Sequence, residues 1–298
     1  MSSKLKAHLL VLIANFFFGT AVVAVKHITP SLMPPLAVNV LRVGIALALF
    51  WLLYFLSTSN TDAGIKKKDL KLFLICALSG VALNQILFIK GASLTSAIHT
   101  SLLSLSTPIA ITVIAAFLIN EKITINKIGG LILGISGAAI LIFLKNNADK
   151  DSNTLGDVFV ILNAVSYAFY LVLVKPLMET YKPLQVIRWV FTFGAGFIIP
   201  IGFADFMKIN WAGFSWHHWL ALAFVVIGAT FLSYMFIVYG ISKLGSSVTG
   251  TYIYTQPVFA SITSMILFGE QLTLVKVISA LLIFSGVFLV NLRRRESN

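Results

Sequence analysis

The chain alternates between long apolar runs and short polar segments from one end to the other. A helix needs about 20 mostly apolar residues to cross the hydrocarbon layer of a bilayer, and runs of that kind predict ten membrane spans. The connections between them are too short to bury a core of their own. We therefore predict an all-α integral membrane protein with spans at Ala7–Val25, Pro35–Leu56, Leu70–Ile89, Ser96–Ile119, Ile128–Leu144, Leu155–Val174, Leu184–Phe203, Trp219–Ile241, Ser247–Phe268 and Val275–Leu292.

A second pattern relates the two halves of the chain. Uncommon residues recur 149 positions apart without a gap, in the pairs Gly91 and Gly240, Pro108 and Pro257, Glu121 and Glu270, and Lys127 and Lys276. Apolar residues match by chance in such a chain, but glutamates are rare in it. A fixed spacing of this kind indicates an internal duplication. The two predicted repeats are residues 1–145 and 146–298, with five spans each.

The odd number of spans per repeat sets the orientation of the second copy. After five crossings the chain enters the second repeat from the opposite side, so the two repeats are predicted to be inverted. Cytoplasmic loops carry an excess of Lys and Arg. With a cytoplasmic amino terminus, fourteen of the 22 basic residues lie inside, six lie outside, and Arg42 and Arg188 lie within spans. We predict a bacterial inner-membrane protein with both termini in the cytoplasm.

Composition agrees with this topology and excludes several classes of function. Hydrophobic residues make up 58% of the chain and charged residues 11%, against about a quarter charged in soluble domains. The net charge of +12 is explained by the basic loops, so no nucleic-acid partner is expected. Paired carboxylates, a His/Cys cluster and a nucleophile with a nearby base are missing from the sequence, so we expect no enzyme activity, metal or cofactor. The expected partners are a small-molecule substrate and the lipid bilayer. The protein is expected to be a monomer or a homodimer.

Short motifs in a fixed order resemble a known family. They are Phe18-Gly19-Thr20, Leu41-Arg42, Gly91 with Ser93-Leu94-Thr95-Ser96-Ala97, Ser106-Thr107-Pro108 through Asn120-Glu121-Lys122, and Tyr254-Thr255-Gln256-Pro257 through Gly269-Glu270-Gln271. Nearly the whole chain is similar to the drug/metabolite transporter superfamily, in its ten-span branch built from two EamA domains. The resemblance implies a cavity between the halves and transport of amino acids, other small metabolites or drugs. Phe18 and Tyr167 stand where members often carry Trp.

Polar side chains within spans are candidates for substrate contact, because lipid exposure of such groups is costly. Asn15 and Gly19 lie one turn apart on span one, and Asn163, Tyr167 and Tyr170 form a stripe on span six. Each of them either lines a cavity or ties helices together.

Further candidates lie on spans three, eight and nine. Asn84 and Gln85 are adjacent and therefore about 100° apart on a helix, so only one can point squarely into a cavity, and Asn84 is favoured. Tyr234 and Tyr254 are placed to stack on a ligand or to donate a hydrogen bond to it. Tyrosines also form belts at membrane interfaces, and that alternative stays open.

Three basic residues complete the candidate site. Arg42 and Arg188 lie deep in their spans, where an arginine either binds a carboxylate through two hydrogen bonds or extends to the headgroups. His99 is the histidine placed to carry a proton, or it is a structural residue. Glu121 and Glu270 are predicted to cap helices or pair at the lip of a cavity.

The predicted function is export or facilitated passage of a small metabolite such as an amino acid, by alternating access at a central cavity between inverted repeats. Two intramembrane arginines and the lack of a mid-span carboxylate favour an anion or zwitterion over a lipophilic cation. Drug efflux and the flipping of a lipid-linked substrate are the alternatives.

Overall fold

The computed structural model describes residues 3–56, 64–118, 124–144, 152–244, 249 and 252–291, and this part of the chain consists of helices and turns without a strand. The helices, numbered in chain order, are α1 Ser3–Ile28, α2 Pro35–Leu56, α3 Lys67–Leu94, α4 Ala97–Leu118, α5 Ile125–Phe143, α6 Thr154–Thr180, α7 Pro183–Phe206, α8 (Trp216–Ala223, Phe224–Leu232 and Ser233–Leu244 in succession), α9 Gln256–Phe268 and α10 Leu274–Asn291.

The helices α1 to α8 are long and apolar enough to cross a membrane. Within the described residues α9 has 13 residues and α10 has 18. Large apolar side chains also cover the outside of the bundle, for example Phe117, Ile266 and Phe288, each more than 65% exposed. The prediction of an all-helical membrane protein is therefore confirmed, and the total of ten spans stays a prediction.

Helix packing follows a two-fold pattern in which each half contacts the other. The helix α2 packs on α7, and α5 packs on α10. The pair α1 and α8 has its counterpart in α6 and α3, and the pair α1 and α9 has its counterpart in α6 and α4. Exchanging each helix for the one five places along the chain thus reproduces the main contacts.

Two prolines mark the same interruption in both halves. In α4 the helical path breaks at a turn over Leu105 and Ser106, and a new segment starts at Thr107, directly before Pro108. A 3₁₀ turn, Tyr252–Thr255, precedes α9, and Pro257 lies in the first turn of that helix. Proline suits a first turn because its missing N–H has no helical partner there. Both prolines fall near the middle of their predicted spans, Ser96–Ile119 and Ser247–Phe268, and in the structure they lie where helical segments begin.

The helices α3 and α8 each contain a π-helical stretch at equivalent places. These stretches are Leu78–Leu83 in α3 and Phe224–Leu232 in α8, and positions 78–83 correspond to 227–232 at the repeat spacing of 149. A π-helical turn shifts the side chains that follow it and occurs frequently at functional sites. In both halves the second residue after the stretch, Gln85 or Tyr234, lines the central cavity.

Glycines allow α5 and α10 to approach very closely. A Cβ atom placed on Gly286 would lie 2.6 Å from the carbonyl oxygen of Gly130 and 2.6 Å from the backbone nitrogen of Gly134. Because both obstacles are backbone atoms, a side chain at this position must push the helices apart.

We expect Gly286→Ala to lower the stability of the detergent-solubilised protein by about 1–3 kcal/mol, the usual cost of overpacking. Gly196→Ala is the matched control, because its Cβ would meet no atom within 4 Å. Thermal unfolding followed by circular dichroism measures both variants. Equal melting temperatures for the two would contradict the close packing of α5 on α10.

Candidate functional site

A cavity of about 140 Å³ lies in the middle of the bundle, between helices of both halves. One water molecule needs roughly 10–15 Å³ of such a cavity. The cavity therefore has space for several waters or for a small metabolite. Aromatic rings, amides, hydroxyls and one guanidinium line it. The lining residues are Phe18, Gly19, Ala21, Val22, Arg42, Asn84, Gln85, Phe88, Ser101, Ser104, Thr107, Asn163, Tyr167, Tyr234, Ile253 and Gln256.

Half of these residues are related to one another by the repeat. At the spacing of 149 positions, four pairs contribute both members to the cavity: Phe18 and Tyr167, Gln85 and Tyr234, Ser104 and Ile253, and Thr107 and Gln256. The members of each pair come from different halves of the chain. The cavity is thus built from the same places of both repeats.

Side-chain amides and hydroxyls on neighbouring helices satisfy the carbonyls of α3 near its π-helical stretch. Asn163 donates to the backbone oxygen of Asn84 (2.8 Å), and Ser166 donates to that of Ser79 (2.7 Å). Asn39 donates to the backbone oxygen of Gln85 (3.0 Å). Backbone groups inside a membrane need such partners. These contacts hold α2, α3 and α6 together beside the cavity.

Arg42 brings a buried guanidinium to the cavity. Its side chain is 4% exposed, and its Nε donates to Thr230 Oγ1 at 3.0 Å. Thr230 lies in the π-helical stretch of α8 and donates in turn to the backbone oxygen of Val225. The Nη1 of Arg42 has no hydrogen-bond partner among the described residues. One edge of the guanidinium is therefore fixed by Thr230, and the buried Nη1 lacks a hydrogen-bond acceptor in the described part of the chain.

Six of the predicted site residues line the cavity, namely Gly19, Arg42, Asn84, Asn163, Tyr167 and Tyr234. Gly19 is placed where a Cβ would lie 2.5 Å from the backbone oxygen of Gln256, so its small size permits the close approach of α1 and α9. Asn163 combines both roles considered for it, since it ties α6 to α3 and also faces the cavity.

The structure places three other predicted residues beside the lining. Asn15 accepts a hydrogen bond from Gln256 Nε2 at 2.8 Å and so holds a residue that does line the cavity. Tyr170 stacks on Tyr167 with ring centroids 5.8 Å apart. Tyr254 packs edge-on against Phe284 of α10.

Arg188 lies away from the cavity, between aromatic rings of α2. Its guanidinium carbon is 3.8 Å from the ring centroid of Tyr54 and 4.7 Å from that of Trp51. Such cation–π contacts stabilise a partly desolvated cation. The arrangement links α7 to α2 and leaves Arg42 as the intramembrane arginine of the cavity.

His99 belongs to a buried cluster with Asp157, one that the sequence analysis did not foresee. Its Nδ1 lies 3.2 Å from Asp157 Oδ1, which also accepts a hydrogen bond from Thr95 Oγ1. Asp157 is fully buried and His99 is 1% exposed. The cluster ties the junction of α3 and α4 to the first turn of α6.

Five further polar residues of the cavity were not predicted: Gln85, Ser101, Ser104, Thr107 and Gln256. The repeat spacing carries a signal for most of them. Gln85 is the mate of the predicted Tyr234, and Thr107 is the mate of Gln256. Ser101 has no such signal in the sequence.

A charged seam joins the two halves one helical turn from the cavity. Glu270 Oε1 lies 3.6 Å from Lys26 Nζ and accepts a hydrogen bond from the backbone nitrogen of Ala97, and Oε2 accepts one from that of Ile98. A carboxylate is favourable at a helix amino terminus, here that of α4. Glu121, the sequence mate of Glu270, lies outside the described residues.

Sequence comparison places this architecture in a family. The profile of the EamA-like transporter family matches residues 5–143 and again residues 154–292. The chain belongs to the EamA-like transporter family. The resemblance found in the sequence is therefore confirmed, and the protein is a membrane transporter by family.

Relatives of this EamA-like transporter cover between 78% and 99% of its length. It is 23% identical over 298 residues to the "uncharacterized transporter YetK" of Bacillus subtilis, covering 99% of this chain and 90% of the relative. It is 25% identical to an "uncharacterized transporter" of Archaeoglobus fulgidus, over 93% and 96% of the two chains. A "probable terminal-alkyne amino-acid exporter" of Streptantibioticus cattleyicolor is 27% identical over 78% of each.

The fold is shared with solved structures, for example one crystal structure. It superposes with a TM-score of 0.65 at 16% sequence identity, and the match covers 99% of this chain and 100% of the other. At this identity the likeness concerns the fold alone.

In this EamA-like transporter we expect Asp157→Asn to lower stability by about 1–3 kcal/mol, because a buried hydrogen-bonded carboxylate is lost from its cluster. Asp205→Asn is the matched control. Asp205 pairs with the exposed Lys208, and such surface pairs contribute about 0–1 kcal/mol. Thermal unfolding in detergent compares the two. If Asp157→Asn unfolds no earlier than Asp205→Asn, the cluster does not hold α3, α4 and α6 together.

Proposed function

We propose that this protein moves a small metabolite such as an amino acid across the bacterial inner membrane, by alternating access at the central cavity. The observation that carries the proposal is the set of four repeat-related residue pairs in the cavity lining. A site shared equally by two halves can be opened to either side when the halves exchange conformations.

The proposal includes ten spans in two inverted five-helix repeats, with both termini in the cytoplasm. The two-fold contact pattern of the helices supports the repeat. The odd number of spans in each half supports the inversion. The distribution of Lys and Arg supports the orientation. Since helices of one chain line the cavity, one protomer is sufficient to form the transport site.

In this orientation the seam of Lys26, Glu270 and the start of α4 lies on the outer side. It joins α1 and α4 of the first half to the turn between α9 and α10 of the second half. We propose that it closes the outer side in the state described and separates when the cavity opens outward. No step of this cycle needs a metal or a cofactor.

The lining supports an amino acid over the alternative substrates. It offers one guanidinium and many hydrogen-bonding groups, and its described residues include no carboxylate to balance a drug-like cation. Its volume of about 140 Å³ favours a small solute over a lipid-linked one. The printed name of the Streptantibioticus relative concerns amino-acid export and agrees with this choice.

We expect purified protein in liposomes to exchange radiolabelled amino acids across the membrane, and to leave tetraphenylphosphonium and a fluorescent lipid-linked sugar on their original side. Ser104→Phe fills the cavity, and an overpacking cost of about 1–3 kcal/mol should slow exchange roughly 10- to 100-fold. Ser106→Phe is the matched control, since Ser106 faces an apolar groove outside the cavity.

Rapid efflux of tetraphenylphosphonium without amino-acid exchange would contradict the proposed substrate and favour drug efflux. Flipping of the lipid-linked sugar without amino-acid exchange would favour a lipid-linked substrate. Equal exchange by the Ser104→Phe and Ser106→Phe variants would show that the solute does not pass through this cavity.

A further inference from the structure

The cavity has a single full charge among its described lining residues, the guanidinium of Arg42. A buried cation without a counter-charge is strongly destabilising, because its desolvation is not compensated. The fixed Nε contact to Thr230 supplies one hydrogen bond, but a hydroxyl carries no opposite charge. Nη1 has no partner in the described part of the chain. The site is therefore incomplete without an anionic group.

The protein's own carboxylates, as far as the structure describes them, are engaged elsewhere or exposed, and none lines the cavity. They are Asp69, which accepts a hydrogen bond from Tyr181, Asp157 in the His99 cluster, the exposed Glu179, Asp205 beside Lys208, and Glu270 at the seam. A carboxylate brought by the ligand fits the guanidinium well, since the two groups form parallel, charge-assisted hydrogen bonds.

A row of hydroxyls on α4 presents acceptors to the same cavity. Ser101 donates its hydrogen to the backbone oxygen of Ile98, Ser104 donates to that of Thr100, and Thr107 donates to that of Ser104. A hydroxyl has one hydrogen and two lone pairs. Because each hydrogen is used within the helix, the lone pairs are what these residues offer to a ligand.

The Arg42 guanidinium and the α4 hydroxyls differ in their relation to the repeat. The mate of Arg42 at the 149-residue spacing is Phe191, an apolar residue of the α7 core. Arg42 is thus an asymmetric addition to a cavity in which half of the lining residues are shared between the repeats. An asymmetric charge orients the ligand in one direction.

We propose that the transport site takes a small zwitterion, whose carboxylate binds Arg42 and whose ammonium group binds the lone pairs of Ser101, Ser104 and Thr107. This inference rests on the proposed function and names its substrate class. It makes Arg42 the residue that selects for a carboxylate.

The test measures ligand-induced thermal stabilisation of the detergent-purified protein. The probes are the protein amino acids, their amides, which lack the carboxylate, and their desamino acids, which lack the ammonium group. We expect at least one amino acid to bind the wild type more tightly than its amide does, by on the order of 10- to 100-fold, the range for a charged hydrogen bond. Arg42→Gln should remove this difference by weakening the binding of the acid, whereas the amide, a cation that is repelled by the guanidinium, should lose no affinity.

Arg188→Gln is the matched control, because Arg188 is also a buried intramembrane arginine but stacks on Tyr54 outside the cavity. The Arg188→Gln variant should still bind the amino acid more tightly than its amide, even if its melting temperature is lower than that of the wild type. A purely structural role of Arg42 would weaken the binding of acid and amide alike. That result, or a wild type that binds no amino acid better than its amide, would overturn the proposal.

Thr107→Val tests the ammonium contact, because it removes the hydroxyl and nearly keeps the shape. We expect it to lower the preference for the amino acid over its desamino acid. If the wild type shows no such preference, or if the variant keeps it in full, the zwitterion is wrong and a simple monocarboxylate replaces it.

The liposome exchange assay separates this inference from the proposed function. Arg42-dependent binding without exchange would uphold the zwitterion site and contradict transport. Exchange that is insensitive to Arg42→Gln would uphold transport and contradict the site.

Discussion

The free-energy cost of placing polar groups inside a lipid-embedded bundle governs this structure. Most polar groups near the cavity form hydrogen bonds within the protein. Asn163, Ser166 and Asn39 donate to backbone oxygens of α3, and these contacts are what fix the helices around the cavity. The same rule makes the partnerless Nη1 of Arg42 informative. In the proposed site it is the place where the ligand supplies the missing interaction.

The duplication explains how so small a cavity is assembled. The π-helical stretches of α3 and α8 and the proline-started segments of α4 and α9 occur at equivalent places of the two repeats. Each directs residues of its own half toward the same space. Residues of both repeats thus line one pocket. Arg42 has no arginine counterpart in the second half, and in the proposed site it is the residue that distinguishes one ligand from another.

The sequence was sufficient for the features that depend on composition and spacing. Apolar runs gave the helices, rare residues gave the repeat register, and the cost of polar groups in lipid pointed to Arg42, Asn84, Asn163 and Tyr234. Other features depend on which helix faces which, and this is not written in any local pattern. The contact between Asp157 and His99 is one such feature, because the two residues lie 58 positions apart in the chain.

The rotation of each helix about its own axis accounts for the remaining differences between the predicted and the observed site residues. Asn84 and Gln85 both line the cavity although they are adjacent, since two side chains about 100° apart on α3 can border the same space from two directions. Arg188 looked equivalent to Arg42 by depth alone, yet the aromatic rings of Tyr54 and Trp51 hold it on the other side of α2. Such outcomes are decided by packing between distant segments.

The central claim is that the two halves move against each other around the cavity, with the contact between Lys26 and Glu270 closing one end. Distances between spin labels test it directly, and the chain suits this method because Cys76 is its single cysteine and is buried. Replacing Cys76 by alanine gives a background in which labels can be placed at chosen positions.

One label pair, Leu94 with Leu274, spans the two halves at the end of the bundle that carries the seam, and the other, Leu118 with Lys175, spans them at the opposite end. All four positions are exposed. Double electron–electron resonance in lipid nanodiscs measures both distances. We expect Glu270→Ala to lengthen the distance between the labels at Leu94 and Leu274 and to shorten the distance between those at Leu118 and Lys175. Unchanged distances at both ends, or a shift of the same sign at both, would contradict alternating access.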